Sequence, residues 1–243
     1  MLRELIDNYA MHNVKARFAG VHELDKLGGL SPNQKDSLRK EVNILIIDDR
    51  DAESMAETLA RKHGFENIRT EKTIPDEPVI QRHQIIVTDV DGVAMDDSNG
   101  LKFARHIKTR SPLKRVIISS GQLKLSKYRE DLRYASMFDG VYEKTKDSHE
   151  KLAQLLDSSI INLYDPSFVW RNVRENLLKR DVNKPDTDMF SVMQMENDFV
   201  RQVLSKNKGG TIDNLHWLDA LIELGTLSKT VIELLSAIKA ISG

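Results

Sequence analysis

The sequence predicts a doubly wound α/β domain built on a five-stranded parallel sheet, followed by an all-α helical domain. Three observations predict it. From residue 41, short runs rich in Ile and Val alternate with longer amphipathic stretches, the pattern of repeated βα units. Four of the five runs are followed at once by a carboxylate, hydroxyl or ammonium side chain, where a parallel sheet gathers its ligand-binding groups. After Lys146 the strand pattern stops and only helical spacing remains.

Ahead of the sheet, residues 2–12 and 32–40 read as helices separated by Gly28-Gly29. Ser31-Pro32 opens the second, a good N-cap followed by proline at the first helical position. The strands are residues 43–47 (NILII), a weaker 67–70, 84–88 (QIIVT), 115–119 (RVIIS) and 140–143 (GVYE). Helices fit between them at 52–63, 100–109 and 127–137, with a short piece near 77–82, where Pro75 and Pro78 leave little room for more. The remainder reads as helices at 148–164, 166–179, 187–205, 212–224 and 227–241, broken at Asp165-Pro166, Asn183-Lys184-Pro185, Gly209-Gly210 and Gly225. Trp170, Phe190, Phe199 and Trp217 are expected in the core of that bundle.

With 243 residues, 40% of them hydrophobic, the chain can bury a sizeable core in two domains. Its 36 Lys and Arg against 37 Asp and Glu create no global field toward nucleic acid or anionic lipid. The absence of cysteine excludes disulfides, thiolate metal sites and cysteine nucleophiles. The start, MLRELIDNYAMHN, lacks the apolar core of a signal peptide, and no apolar run has the length of a membrane helix, so a cytoplasmic protein is expected.

The strand ends carry the chemistry. Asp48 and Asp49 follow the first strand, Asp89 the third, Ser120 the fourth and Lys144 the fifth. Carboxylates converging on one edge repel each other, and a hard divalent cation with oxygen ligands relieves that; beside phosphate the cation is Mg²⁺. A lysine and a hydroxyl at the same edge suit a phosphoryl group, one neutralising an oxygen and the other donating to it.

These residues and their order resemble the receiver domain of two-component response regulators, a CheY-like, flavodoxin-like fold. The segments concerned are ILIIDD, IIVTD, VIISSG and DGVYEKT. The resemblance implies a receiver over residues 41–160, an N-terminal helical extension over 1–40, and a helical output or interaction domain over 161–243. It implies that Asp89 accepts phosphate, that Asp48, Asp49, Asp89 and the backbone carbonyl of Asp91 hold Mg²⁺, and that Ser120 and Lys144 meet the phosphoryl group. Ser119 competes with Ser120 for the hydroxyl role, although Ser120-Gly121 better fits the family's order of a hydroxyl residue and then a small one. The implied partners are a sensor histidine kinase or phosphotransfer protein, and a protein output partner or a second copy. No enzyme activity is implied beyond self-phosphorylation and self-dephosphorylation.

The departures from the family's pattern are a longer turn after Asp89 (DGVAMDDSN) without its usual proline, Val141 where a switching aromatic is common, and Thr145 in place of proline after Lys144. They favour an alternative, a receiver-fold scaffold independent of phosphorylation. Thr88-Asp89-Val90-Asp91-Gly92 also looks like the Asp-x-Asp-Gly motif of haloacid-dehalogenase-type phosphatases, whose motif, however, lies on the first core strand. That likeness suggests that Asp91 assists an attacking water. In the helical half, residues 217–236 loosely resemble a helix-turn-helix, but Asp213, Asp219, Glu223 and Glu233 outnumber Lys229 and Lys239, which argues against DNA binding. His216, in LHWLDAL, lacks the lysine and glycine that follow a phosphotransfer histidine.

Overall fold

The computed structural model describes residues 20–26, 30–93, 99–111, 113–121, 138–145, 147–180 and 189–206. The helices expected at 2–12, 127–137, 212–224 and 227–241, with His216 and Trp217, lie outside these residues. Among the described residues no helix is long and apolar enough to cross a membrane.

The sheet comprises β1 (Ile44–Ile47), β2 (Ile68–Glu71), β3 (Ile85–Asp89), β4 (Arg115–Ser120) and β5 (Gly140–Glu143). Its order is β2-β1-β3-β4-β5 and every pairing is parallel. This is the flavodoxin-like receiver fold expected from the sequence, with its switch point between β1 and β3. The helices around it are α1 (Pro32–Glu41), α2 (Ala52–His63), α3 (Glu77–Arg82), α4 (Gly100–Arg110) and α5 (His149–Tyr164).

β1, β3 and β4 are buried along their whole lengths, which is why each reads as an unbroken apolar run. Alternate residues divide between two faces. Leu45, Ile47, Ile86, Val116 and Ile118 pack with Ile80 of α3 and with Leu101, Ala104 and Ile107 of α4. Ile44, Ile46, Val87 and Ile117, one step out of phase, are equally buried, and α2 and α5 pack against β1, β4 and β5. The helices stop and start as their caps dictate. Ser31 forms a capping box with Gln34 at α1. Asn99 accepts from the Lys102 N–H at α4, and Gly64, at φ 74°, ends α2.

Buried charges set the strand register. Asp139, just before β5, accepts from Arg115 at 2.7 Å, from the Val116 N–H at 2.6 Å and from Lys108 at 3.2 Å, fixing the strand that Lys144 follows. Lys114 lies buried before β4 and donates to the carbonyls of Ile80, Gln81 and His83, closing the C-terminal end of α3. Burial pushes the Lys114 ammonium down to about 8, and its three carbonyl acceptors favour the charged form.

The compact unit that holds the sheet spans Ser31–Tyr164 among the described residues. Within it α1 packs on α5. Arg39 binds Asp157 through two 2.7 Å hydrogen bonds, and its guanidinium lies 5.8 Å from the centre of the Phe65 ring.

A second, helical unit joins the 3₁₀ turn Val21–Lys26 to α6 (Pro166–Arg180) and α7 (Met189–Lys206). Trp170 is fully buried in it, stacked on Phe199 at 5.2 Å, with its indole N–H donating to Glu196 at 2.9 Å. Arg174 lies 3.5 Å from the same carboxylate.

Candidate functional site

The site lies at the carboxyl edge of the sheet, built by residues that end or immediately follow four of its strands. In the β1–β3 ladder Ile47 lies opposite Thr88, so the next residues out, Asp48 and Asp89, leave the sheet side by side. Both are buried, at 1% and 7% exposure, whereas Asp49 is partly open to solvent. One carboxylate oxygen from each of the three lies within 4.8 Å of the others.

Each buried carboxylate is held at both oxygens. Asp48 Oδ1 accepts from the backbone N–H groups of Arg50 at 3.0 Å and Asp51 at 2.8 Å, which orients it at the entry to α2. Asp89 Oδ1 accepts from the Val90 N–H at 2.7 Å. The second oxygen of each accepts from Lys144, whose Nζ stands 2.7 Å from both Asp48 Oδ2 and Asp89 Oδ2. Asp51 places a fourth carboxylate 3.6 Å from the same ammonium. At the mouth, Arg50 Nε lies 3.4 Å from Asp49 Oδ2.

The electrostatics follow from burial and pairing. Burial drives the Asp89 carboxyl above its ordinary value, and neighbouring Asp48 adds to this; the hydrogen bond and charge of Lys144 and the Val90 N–H work against it. Burial alone would lower Lys144, but its hydrogen bonds to Asp48 and Asp89 outweigh that and leave it raised. The lysine is therefore a fixed cation between two acids.

The backbone ties the remaining groups to this edge. The Lys144 N–H donates to the Ser120 carbonyl at 2.9 Å, and Thr145 Oγ1 donates to the Gly121 carbonyl at 2.8 Å. The hydroxyl at the position of the family's proline thus secures the turn after β5. Ser120 is buried at the end of β4, opposite Glu143. Ser119 lies directly opposite Asp89, is wholly buried, and its Oγ has no hydrogen-bond partner among the described residues. Tyr142, in register with Ser119, is the buried aromatic of β5, while Val141 is only partly covered. Asp91 is exposed on the turn leaving β3.

Solved structures similar to this chain include receiver domains of the CheY-like kind. One from Methanospirillum hungatei is 16% identical, covering 50% of this chain and 95% of its own, with a TM-score of 0.41. A receiver domain protein from Clostridium thermocellum is 19% identical over 49% of this chain and 94% of its own, with a TM-score of 0.39. A response regulator from Burkholderia pseudomallei, solved with a phosphorylated aspartic acid, a calcium ion and citrate, is 16% identical over 79% of this chain and 97% of its own, with a TM-score of 0.37. No protein-family model matches the chain, and neither does any curated protein.

Five of the sequence-predicted residues, Asp48, Asp49, Asp89, Ser120 and Lys144, stand together at the carboxyl edge of the sheet. The donor set of Asp48, Asp49 and Asp89 is entirely oxygen, which suits a hard cation. On an octahedral Mg²⁺ no two ligand oxygens stand more than roughly 4 Å apart, so these three, within 4.8 Å of one another, would close in slightly on binding. Sequence reasoning missed Asp51 and the glycines beside the acids. An ideal Cβ on Gly100 would lie 1.7 Å from the Asp89 carbonyl oxygen, so α4 starts in direct backbone contact with β3. The Gly100 N–H donates to the Val90 carbonyl at 3.0 Å, closing the base of the intervening loop.

Proposed function

We propose that this protein is a response regulator phosphorylated on Asp89 with Mg²⁺, which thereby controls its helical unit through interaction with a protein partner or a second copy. The observation that carries it is the position of Lys144, 2.7 Å from both Asp48 and Asp89 at an edge that also holds Asp49. A sensor histidine kinase or phosphotransfer protein would supply the phosphoryl group, which places the reaction in the cytoplasm.

Asp48, Asp49 and Asp89 would hold the cation, which supplies positive charge to the phosphoryl oxygens. An Asp89 carboxylate oxygen attacks the donor's phosphorus as the bond from phosphorus to the donor breaks, its electron pair leaving with the donor. The product is an acyl phosphate. The Val90 N–H on Oδ1 orients the nucleophile, and Lys144, already at Oδ2, neutralises incoming charge. Ser120 is the hydroxyl that would close on the phosphoryl group. Because Lys144 and Ser120 share a backbone hydrogen bond, movement of either draws on both β4 and β5, and α5 follows β5 closely.

Labelling with acetyl phosphate tests this. The unmodified chain should gain one phosphoryl group, detected by intact mass, only when Mg²⁺ is present. Persistent labelling of Asp89→Asn would defeat the assignment.

A second reading, a phosphorylation-independent scaffold, draws support from β5. Tyr142 is already buried in register with Ser119, so the aromatic of this strand is packed away before any phosphate arrives. Beryllofluoride with Mg²⁺ separates the two: a responsive receiver shifts its amide spectrum or association state, and a scaffold does not.

A further inference from the structure

Gly92 departs from every other glycine near the site in what it touches. It sits on the exposed turn after Asp89 with φ at 83°, a left-handed conformation that suits glycine. The chain then turns inward: Val93 is buried, and its carbonyl accepts from the Ile74 N–H at 2.8 Å, anchoring the turn to the segment after β2. The three atoms nearest an ideal Cβ on Gly92 all belong to the Asp49 carboxylate, at 2.7 Å for Cγ and Oδ2 and 3.0 Å for Oδ1.

We propose that Gly92 is a positioning residue that holds the Asp49 carboxylate in place for a divalent cation, an inference that rests on the metal site of the preceding section. The geometry decides which group would yield to a side chain at position 92. The turn is anchored on both sides, by Asp89 in β3 and by the Val93–Ile74 hydrogen bond. The Asp49 carboxylate is the free end of a side chain 30% exposed to solvent. A Cβ therefore displaces the Asp49 carboxylate from its place beside Asp48 and Asp89 and leaves the sheet unmoved. The bare Gly92 backbone forms one wall against which Asp49 rests.

Gly64 supplies the control. It also has positive φ, at 74°, yet nothing lies within 4 Å of the Cβ it would carry. Gly64→Ala and Gly92→Ala thus share the left-handed strain, and only the second collides with a metal ligand. Mg²⁺ affinity would be measured by titration calorimetry on the full chain, with Mn²⁺ by electron paramagnetic resonance as a second readout. Gly92→Ala should weaken binding about tenfold or more, the scale seen when the support of a metal ligand is removed. Gly64→Ala should lower the melting temperature and leave the affinity unchanged. Gly92→Asn, whose side chain tolerates a left-handed backbone while keeping the Cβ, should weaken the metal like alanine does. In an Asp49→Asn background the effect of Gly92→Ala should disappear, because both changes act on the same ligand.

Equal affinity for Mg²⁺ in Gly92→Ala, Gly92→Asn and the unmodified chain would overturn the inference while leaving the metal site standing. A weakening of the same size in Gly64→Ala would also overturn it, assigning the loss to general destabilisation. An unmodified chain that binds neither Mg²⁺ nor Mn²⁺ would remove the metal site itself, and this inference with it.

Discussion

Lys144 Nζ stands 2.7 Å from Asp89 Oδ2, a contact made between residues 55 positions apart at the ends of β5 and β3, with β4 between those strands. The same nitrogen is equally close to Asp48 Oδ2, so one ammonium neutralises two buried acids. Lys144→Ala removes it and leaves the carboxylates facing each other. The metal-free protein should lose about 3 kcal/mol, the scale for breaking a buried pair from one side. Added Mg²⁺ should recover much of the loss, as urea denaturation with and without the ion would measure.

Asp89→Asn should act in the opposite direction. Folding raises the Asp89 carboxyl above 3.8, mainly by burying it, so between 3.8 and the folded value the native state binds more protons than the unfolded one. Stability therefore falls as pH rises through that window, and at neutral pH without metal the ionised group is a burden. Asparagine carries no such burden. The variant should be more stable than the unmodified chain at neutral pH, with the difference shrinking on acidification through the window and closing below 3.8. Denaturation midpoints across pH, in chelator, are the check.

Ser119 bears a wholly buried hydroxyl with no hydrogen-bond partner among the described residues. Replacing it with alanine removes an unmet polar group and creates little space. Ser119→Ala should raise stability by about 1 kcal/mol, within the usual cost of an unsatisfied buried donor. It should leave acetyl-phosphate labelling intact, whereas Ser120→Ala should slow it. If Ser119→Ala is the change that slows labelling, the hydroxyl role passes to Ser119.

Gly100→Ala drives a methyl group into the Asp89 carbonyl, which would lie 1.7 Å away. No rotamer relieves a backbone collision, so α4 must withdraw. A loss of roughly 1–3 kcal/mol is expected from overpacking of this kind. The amide signals of Gly100 and Asp91 should move together in heteronuclear spectra, since the Gly100 N–H donates to the Val90 carbonyl, whose peptide group carries the Asp91 N–H.

Arg39 and Asp157 should show a coupling near 1 kcal/mol in a double-mutant cycle, at the upper end for a partly exposed pair. Their two-point geometry places them there. The coupling should shrink as salt is raised.

Much of this was legible in the chain. Strands buried on both faces must be continuously apolar, so β1, β3 and β4 announce themselves, and the acids stand out because they interrupt those runs at Asp48 and Asp89. The short α3 was visible in Pro75 and Pro78. The Arg39–Asp157 pair was not, because a contact across 118 residues leaves no local period. The close approaches of Gly92 to Asp49 and of Gly100 to Asp89 were hidden for a related reason, since they depend on how three segments meet. One signal did exist: Asp91-Gly92 is a dipeptide that marks a turn with positive φ. Asp51 was overlooked because an acid at a helix start has an ordinary role at the dipole.

The helical unit is written in two pieces of sequence, the turn Val21–Lys26 and the helices from Pro166 onward, with Ser31–Tyr164 between them. During synthesis the first piece emerges long before its packing partners exist. It must wait while more than a hundred intervening residues are made and folded. A folded Ser31–Tyr164 replaces a long floppy connection by a short fixed one, and so lowers the entropy cost of joining the pieces.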